Sequence, residues 1–136
     1  MATSPRAERT LTQIDYLRLR RLALMFERDA HGAIQSVLDE SDIVASSSVP
    51  PSVVTMYTQV LLQAEDGTRP FKVTLCYPDD AEPSEGFISV LSPLGTALLG
   101  LRVGDRAQWR TPTGEEHRAH VADVQYQPEA CGDYTT

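Results

Sequence analysis

The chain has 136 residues, 41% of them hydrophobic and 23% charged, which fits one compact domain with at most a short appendage. No apolar run approaches the roughly 20 residues a membrane helix needs, and the opening MATSPRAERT lacks the apolar stretch of a signal peptide, so the expected location is the cytoplasm. Twelve basic against nineteen acidic residues give a net charge of −7, which argues against a protein that coats nucleic acid, though not against a nucleoprotein machine as partner.

The charge is uneven: six arginines and three acids lie between Arg6 and Arg28, and the acidic excess falls after them. The first predicted element is a helix over Gln13–Arg28, free of Gly and Pro, with Thr12 placed to cap it. Its apolar residues, Ile14, Leu17, Leu19, Leu22, Leu24, Met25 and Phe26, spread around most of the circumference, so the helix calls for cover on more than one side. Arg18, Arg21 and Arg28 fall within roughly 80° of one another. That basic stripe reads either as a binding arm or as a solvated helix face.

Asp29-Ala30-His31-Gly32 has the composition of a turn, with His31 exposed on it. A second helix follows, with Ile34, Val37 and Leu38 at the spacing of one buried face. It fades through Ser46-Ser47-Ser48 and stops at Pro50-Pro51. Residues 12–44 therefore read as an antiparallel helical hairpin, a short coiled coil, with 45–52 as its linker.

After Pro51 the period changes to two. Val54, Met56, Val60 and Leu62 share one face of a long strand broken at Thr58, and Phe71, Val73, Leu75 and Tyr77 alternate in a return strand. Glu65-Asp66-Gly67-Thr68 between them suits a type I′ turn. An acidic, Pro-containing loop over 78–86 leads to a short strand at Phe87–Leu91. Thr96–Leu101 makes one or two helical turns, with Pro93 near their start, where proline is tolerated. Strands over 106–111 and 115–126 complete an antiparallel sheet, and the tail 128–136 has no clear pattern. The fold class is α+β, divided at residues 1–49 and 50–136.

Few residues suggest chemistry. Cys76 and Cys131 form no CxxC and read as two reduced thiols. His117 and His120 sit three apart on a strand, which sends them to opposite faces and away from a shared metal. Asp79, Asp80, Glu82 and Glu85 lack the ligand positions of a calcium loop and read as a solvated loop. Glu27 and Asp29 flank the expected hairpin tip, where paired carboxylates could hold a Mg²⁺ inside another molecule's active site, or simply flank a turn. No phosphate-cradling Gly loop and no Ser or Cys nucleophile with a recognisable His is present. No metal and no cofactor are expected.

The stretch Ile88-Ser89-Val90-Leu91-Ser92-Pro93-Leu94-Gly95-Thr96-Ala97-Leu98-Leu99-Gly100-Leu101-Arg102-Val103-Gly104-Asp105, with the later Thr111-Pro112-Thr113-Gly114, resembles the C-terminal domain signature of the bacterial Gre transcript-cleavage factors. Val53-Val54-Thr55-Met56 and Tyr126-Gln127-Pro128-Glu129-Ala130-Cys131-Gly132-Asp133-Tyr134 resemble the narrower Rnk family, regulators of nucleoside diphosphate kinase. The resemblance covers roughly residues 50–134; over 1–49 it is architectural only. It implies an FKBP-like fold for the sheet domain and docking at the rim of the RNA polymerase secondary channel. Ser92, Pro93 and Leu94 are the implied contacts, and Arg18, Arg21, Arg28, Glu27 and Asp29 are possible hairpin contacts.

Gre factors complete a Mg²⁺ site with the acidic tip of a long coiled coil. Here a 16-residue helix rises only about 24 Å, roughly half that length, so the tip carboxylates fall short of the catalytic centre. The expected function is therefore a non-catalytic regulator that competes with Gre-type factors, without sequence-specific nucleic-acid binding. The alternative is a shortened cleavage factor using Glu27, Asp29 and Mg²⁺. Peptidyl-prolyl isomerisation would follow from the fold alone, and Trp109 reads as a packing residue and not as the floor of a proline pocket. Nothing resembles kinase machinery, so an effect on nucleoside diphosphate kinase would act through expression or through direct binding; sequence leaves both open, and the oligomeric state with them.

Overall fold

The computed structural model of the chain describes residues 9–25 and 31–132. It is a mixed α+β structure whose centre is a curled five-stranded sheet. β1 (Thr10–Thr12) leads directly into α1 (Gln13–Met25); α2 (His31–Glu40) packs on α1 and leads into β2 (Asp42–Val44). β3 (Gln59–Ala64), β4 (Phe71–Cys76), β5 (Phe87–Ser89), α3 (Pro93–Leu98), β6 (Arg106–Arg110) and β7 (Glu116–Tyr126) follow. The sheet order is β5-β4-β3-β7-β6.

The central strand β3 pairs with both β4 and β7, and Val60 and Leu62 on one of its faces are buried. Val73 and Leu75 of β4, Ala107 of β6, and Ala119 and Val121 of β7 close the same layer. The β3–β7 register shifts twice, between Gln59 and Val60 and between Leu61 and Leu62; such irregularities add local twist and curl the sheet. One hydrophobic cluster runs through the molecule, joining Leu11, Leu19, Ile34 and Leu38 to Leu62, Leu98, Leu99 and Val121.

Several sequence expectations are corrected. The sheet is not wholly antiparallel, because β4 and β5 run parallel. β1 and β2 form a separate parallel pair, Thr10 opposite Asp42 through Thr12 opposite Val44, that no pattern announced. The first long strand begins at Gln59; Thr55–Thr58 is a tight buried turn with Tyr57 at φ 65°. The β3–β4 connection is not a type I′ turn, since Gly67 has positive φ but Asp66 does not. Instead Asp66 Oδ1 accepts from the Thr68 N–H at 3.0 Å, and Pro70, lacking an N–H, precedes the ladder. The helix expected over 96–101 starts at Pro93 and ends at Leu98.

His31 and Gly32 open α2 and do not belong to a turn. α1 reaches Met25, and the expected residues 26–28 lie outside those described. Its cover is one-sided: Leu19 and Ala23 are buried, whereas Leu17, Leu24 and Met25 are exposed. Thr12 does cap α1, accepting from the Asp15 N–H at 3.0 Å. The tail over 128–132, without pattern in sequence, makes a 3-10 turn at Glu129–Cys131 that docks on the body.

α3 lies close against the chain that precedes it. A Cβ on Gly95 would overlap the Ser89 carbonyl oxygen and stand 2.8 Å from its carbon and 2.9 Å from Val90 Cα, all backbone atoms that cannot swing aside. Gly95→Ala is therefore expected to destabilise the protein by about 3 kcal/mol or more, a fall in Tm on the order of 10 °C. Gly114, at φ 93° with open space around its Cα, is the control; its change to Ala should cost only about 1 kcal/mol. Thermal denaturation of both variants checks this, and equal losses would contradict the close crossing.

Candidate functional site

Ser92, Pro93 and Leu94 are brought together at the start of α3, but their side chains do different things. Ser92 has extended backbone, and its Oγ accepts from the Gly95 N–H at 3.1 Å while donating to Ser89 O at 2.6 Å. Its hydroxyl is thus consumed by the cap. Leu94 is half-buried against the core. Pro93 occupies the first turn, where its missing N–H costs nothing, and its ring is exposed. Thr96 Oγ1 donates to Val90 O at 2.7 Å, and Leu98 and Leu99 are fully buried, so the helix beneath Pro93 is fixed.

Pro93 stands at a groove of about 590 Å³ between α2, α3 and β6. Val37, Leu91, Ala97 and Trp109 supply its apolar wall, with Arg9 and Glu40 among its polar residues. Arg9 is spent on structure: its Nη1 donates to Thr96 O at 2.9 Å and Leu99 O at 2.8 Å, carbonyls at the C-terminal end of α3. Trp109 packs against the core and stacks on His117, centroids 5.6 Å apart. Ser36, Gln108 and Arg110 also line the groove. This arrangement offers a rigid, mostly apolar surface with one projecting proline.

The second group of expected residues is only partly described. Arg28, Glu27 and Asp29 lie outside the described residues. Arg18 and Arg21 line another cleft, of about 410 Å³, with Leu22, Met25, Tyr77, Pro78 and Asp79. Arg18 is half-buried there and Arg21 exposed, so the stripe is in part turned towards the body. The two clefts share no lining residue.

Elsewhere, Cys76 is buried and Cys131 exposed, and they are not bridged. His117 and His120 are both exposed, and their odd spacing on β7 puts them on opposite faces. The acidic loop is ordered by two 3-10 turns, Pro78–Asp80 and Pro83–Glu85, and Asp80 accepts from the Tyr57 hydroxyl.

Sequence reasoning missed Asp15. It falls on the buried face of α1 with Leu19 and Ala23 and is itself buried. Its Oδ2 accepts from the Met56 N–H at 3.1 Å, joining α1 to the turn before β3. Thr55 Oγ1 in the same turn donates to Glu129 Oε1 at 2.7 Å. Gln127 Nε2 donates to Pro50 O and Val53 O, each at 2.8 Å, which brings the tail to the same joint. An acid at an i, i+4, i+8 position otherwise filled by Leu and Ala was the available signal.

Burial raises the Asp15 carboxyl to about 6, with Glu129 adding to the effect and the Met56 N–H, Arg18 and Thr12 opposing it. The folded protein therefore keeps a proton that the unfolded chain releases between the ordinary value of 3.8 and about 6. This contribution to stability falls as pH rises across that window and is constant above it. Asp15→Asn keeps an acceptor for Met56 and removes the charge. It is expected to match wild type below pH 4 and to exceed it above pH 7 by roughly 1–3 kcal/mol. Denaturant titrations from pH 3.5 to 8 check this; a difference independent of pH would contradict it.

Residues 49–126 match the family model for the GreA/GreB transcription elongation factor C-terminal domain. The chain is 36% identical to the regulator of nucleoside diphosphate kinase of Escherichia coli K12, over 89% of this chain and 93% of that protein. It is 34% identical to transcription elongation factor GreA of Solidesulfovibrio magneticus over 74% of this chain, but spans only 61% of that longer protein. A solved GreA/GreB elongation factor from Nitrosomonas europaea superposes with a TM-score of 0.75 at 32% identity, covering 89% of this chain and all of that one. The motif around Pro93, the helix it caps and the curled sheet beneath it thus have one origin: the chain belongs to the Gre family of transcription-related factors, in the branch of the regulator of nucleoside diphosphate kinase.

Proposed function

We propose that this chain binds RNA polymerase at the entrance of the secondary channel, competes there with Gre-type factors, and does not cleave RNA. The observation that carries the reading is Pro93. Of the three residues at the start of α3, it alone presents an exposed side chain, held rigid at the rim of an apolar groove. In this reading residues 50–136 are an FKBP-like docking domain, and residues 1–49 are a helical hairpin that obstructs the entrance. The site of action is the cytoplasm.

The short helical part supports obstruction over catalysis. The helix expected over residues 13–28 rises only about 24 Å, and α1 is the described part of it. An influence on nucleoside diphosphate kinase, the activity in the Escherichia coli relative's name, would then follow from altered transcription.

Binding of the purified protein to core RNA polymerase, with and without excess Gre factor, tests the reading. Pro93→Ala should weaken binding by about tenfold, or 1.4 kcal/mol, with Tm nearly unchanged because alanine is tolerated at the first helical position. Backtracked complexes should show no transcript cleavage on addition of the protein. Absence of binding would end the docking reading, and cleavage lost in a Glu27→Ala, Asp29→Ala double variant would replace it with the cleavage-factor one.

A further inference from the structure

We propose that the cleft between α1 and the Tyr77–Asp79 segment is a binding site for a nucleoside phosphate. Its volume of about 410 Å³ lies in the range of small-molecule sites, roughly 300–1,000 Å³. Arg18 and Arg21 enter it from neighbouring turns of one helix, so two guanidiniums reach the same space. Leu22, Met25, Pro78 and Tyr77 make the rest of the wall chiefly apolar. Such a wall accepts a flat ring and the guanidiniums an anion.

Tyr77 supplies an independent observation. Its hydroxyl is shielded from solvent; Arg18 interacts with its oxygen, and its proton has no acceptor among the described residues. Its ring is held by a tilted contact with Tyr57, centroids 5.8 Å apart. A buried O–H without an acceptor is unfavourable, and an acceptor oxygen of a bound ligand would relieve it. Arg18 acts electrostatically on both this hydroxyl and the buried Asp15. Arg18 is half-buried in the cleft wall and Arg21 is exposed.

The choice of phosphate over carboxylate follows from the charges. Two guanidiniums match the two negative charges and three oxygens of a phosphate monoester better than a single carboxylate. Asp79, at the rim, repels a second anionic end and accepts from a ribose hydroxyl or an exocyclic amine. A ligand with an anion at one end and a donor-bearing ring system at the other satisfies both ends. The Pro93 groove shares none of these residues, so this site stands or falls independently of polymerase docking.

Calorimetric titration of the full chain with AMP, ADP, GMP and GDP, and separately with adenosine and inorganic phosphate, tests the site. At least one nucleoside phosphate should bind saturably with one-to-one stoichiometry, about tenfold or more tighter than adenosine or phosphate alone. Arg21→Ala, at an exposed position, should weaken that binding about tenfold. Tyr77→Phe, which keeps the ring and removes only the hydroxyl, should weaken it about threefold to tenfold. Thermal melts of both variants establish that they are folded. No saturable binding at millimolar concentrations would overturn the proposal. So would phosphate alone binding as tightly as the nucleotides, or nucleotide binding unchanged in both variants.

Discussion

The backbone crossing of Gly95 over Ser89 and Val90 is the constraint on which the rest of the structure depends. Only a residue without Cβ permits that approach. It presses α3 onto the chain leading into it, and the two hydroxyl contacts, Ser92 to Ser89 and Thr96 to Val90, follow from the proximity. The far end of the same short helix then anchors the N-terminal part. Arg9 caps its carbonyls, the Thr10 N–H bonds to Gly100 O at 3.0 Å, and the Gly100 N–H bonds to Val54 O at 2.9 Å. Gly100, at φ 81° with Arg9 and Thr10 about it, is the second position that demands glycine. The segment 89–100 thus ties β1, the turn before β3 and the sheet end to one another, and leaves Pro93 as its outward feature.

The sheet was legible because its strands obey the period of two: Val60, Leu62, Val73, Leu75, Ala119 and Val121 are buried as that period requires. The helices were legible from the Gly- and Pro-free run after Thr12 and the spacing of Ile34, Val37 and Leu38. What escaped was non-local. β1 and β2 are three residues each and pair in parallel across the helices between them, so neither contains enough residues to show a period. The parallel join of β4 and β5 depends on the course of the acidic loop, which composition does not encode. Val54 and Met56 looked like strand residues because they are buried, but the Thr58 hydroxyl accepting from the Thr55 N–H at 3.0 Å folds that segment into a turn. Local hydrogen-bond competition of this kind is beyond a hydrophobic pattern.

The candidate site divides in the same way. The Ser-Pro-Leu triplet was visible as a motif, but only the structure separates the capping serine and the packed leucine from the exposed proline. The basic stripe was visible as charge, yet burial of Arg18 beside Tyr77 and Asp15 changes its meaning from a solvated face to the wall of a cleft. The segments Val53–Met56 and Tyr126–Tyr134, which carried the narrower resemblance, meet at one joint through their described residues. There Asp15 reaches Met56, Glu129 receives Thr55, and Gln127 holds Pro50 and Val53. A buried carboxylate with a raised pKa costs stability at neutral pH, and here it fixes how α1 sits on the sheet body. The orientation of the helical part is thereby as specified as the surface that carries Pro93.

In the proposed docking the Pro93 surface meets RNA polymerase where Gre factors do. Replacing Pro93 with the photoreactive p-benzoyl-L-phenylalanine and irradiating the protein with core RNA polymerase tests it most directly. The expected result is a covalent adduct to a polymerase subunit that disappears when excess Gre factor is added. No adduct from position 93, with adducts forming from a probe placed at an exposed residue such as Gln125, would place the contact elsewhere and contradict it.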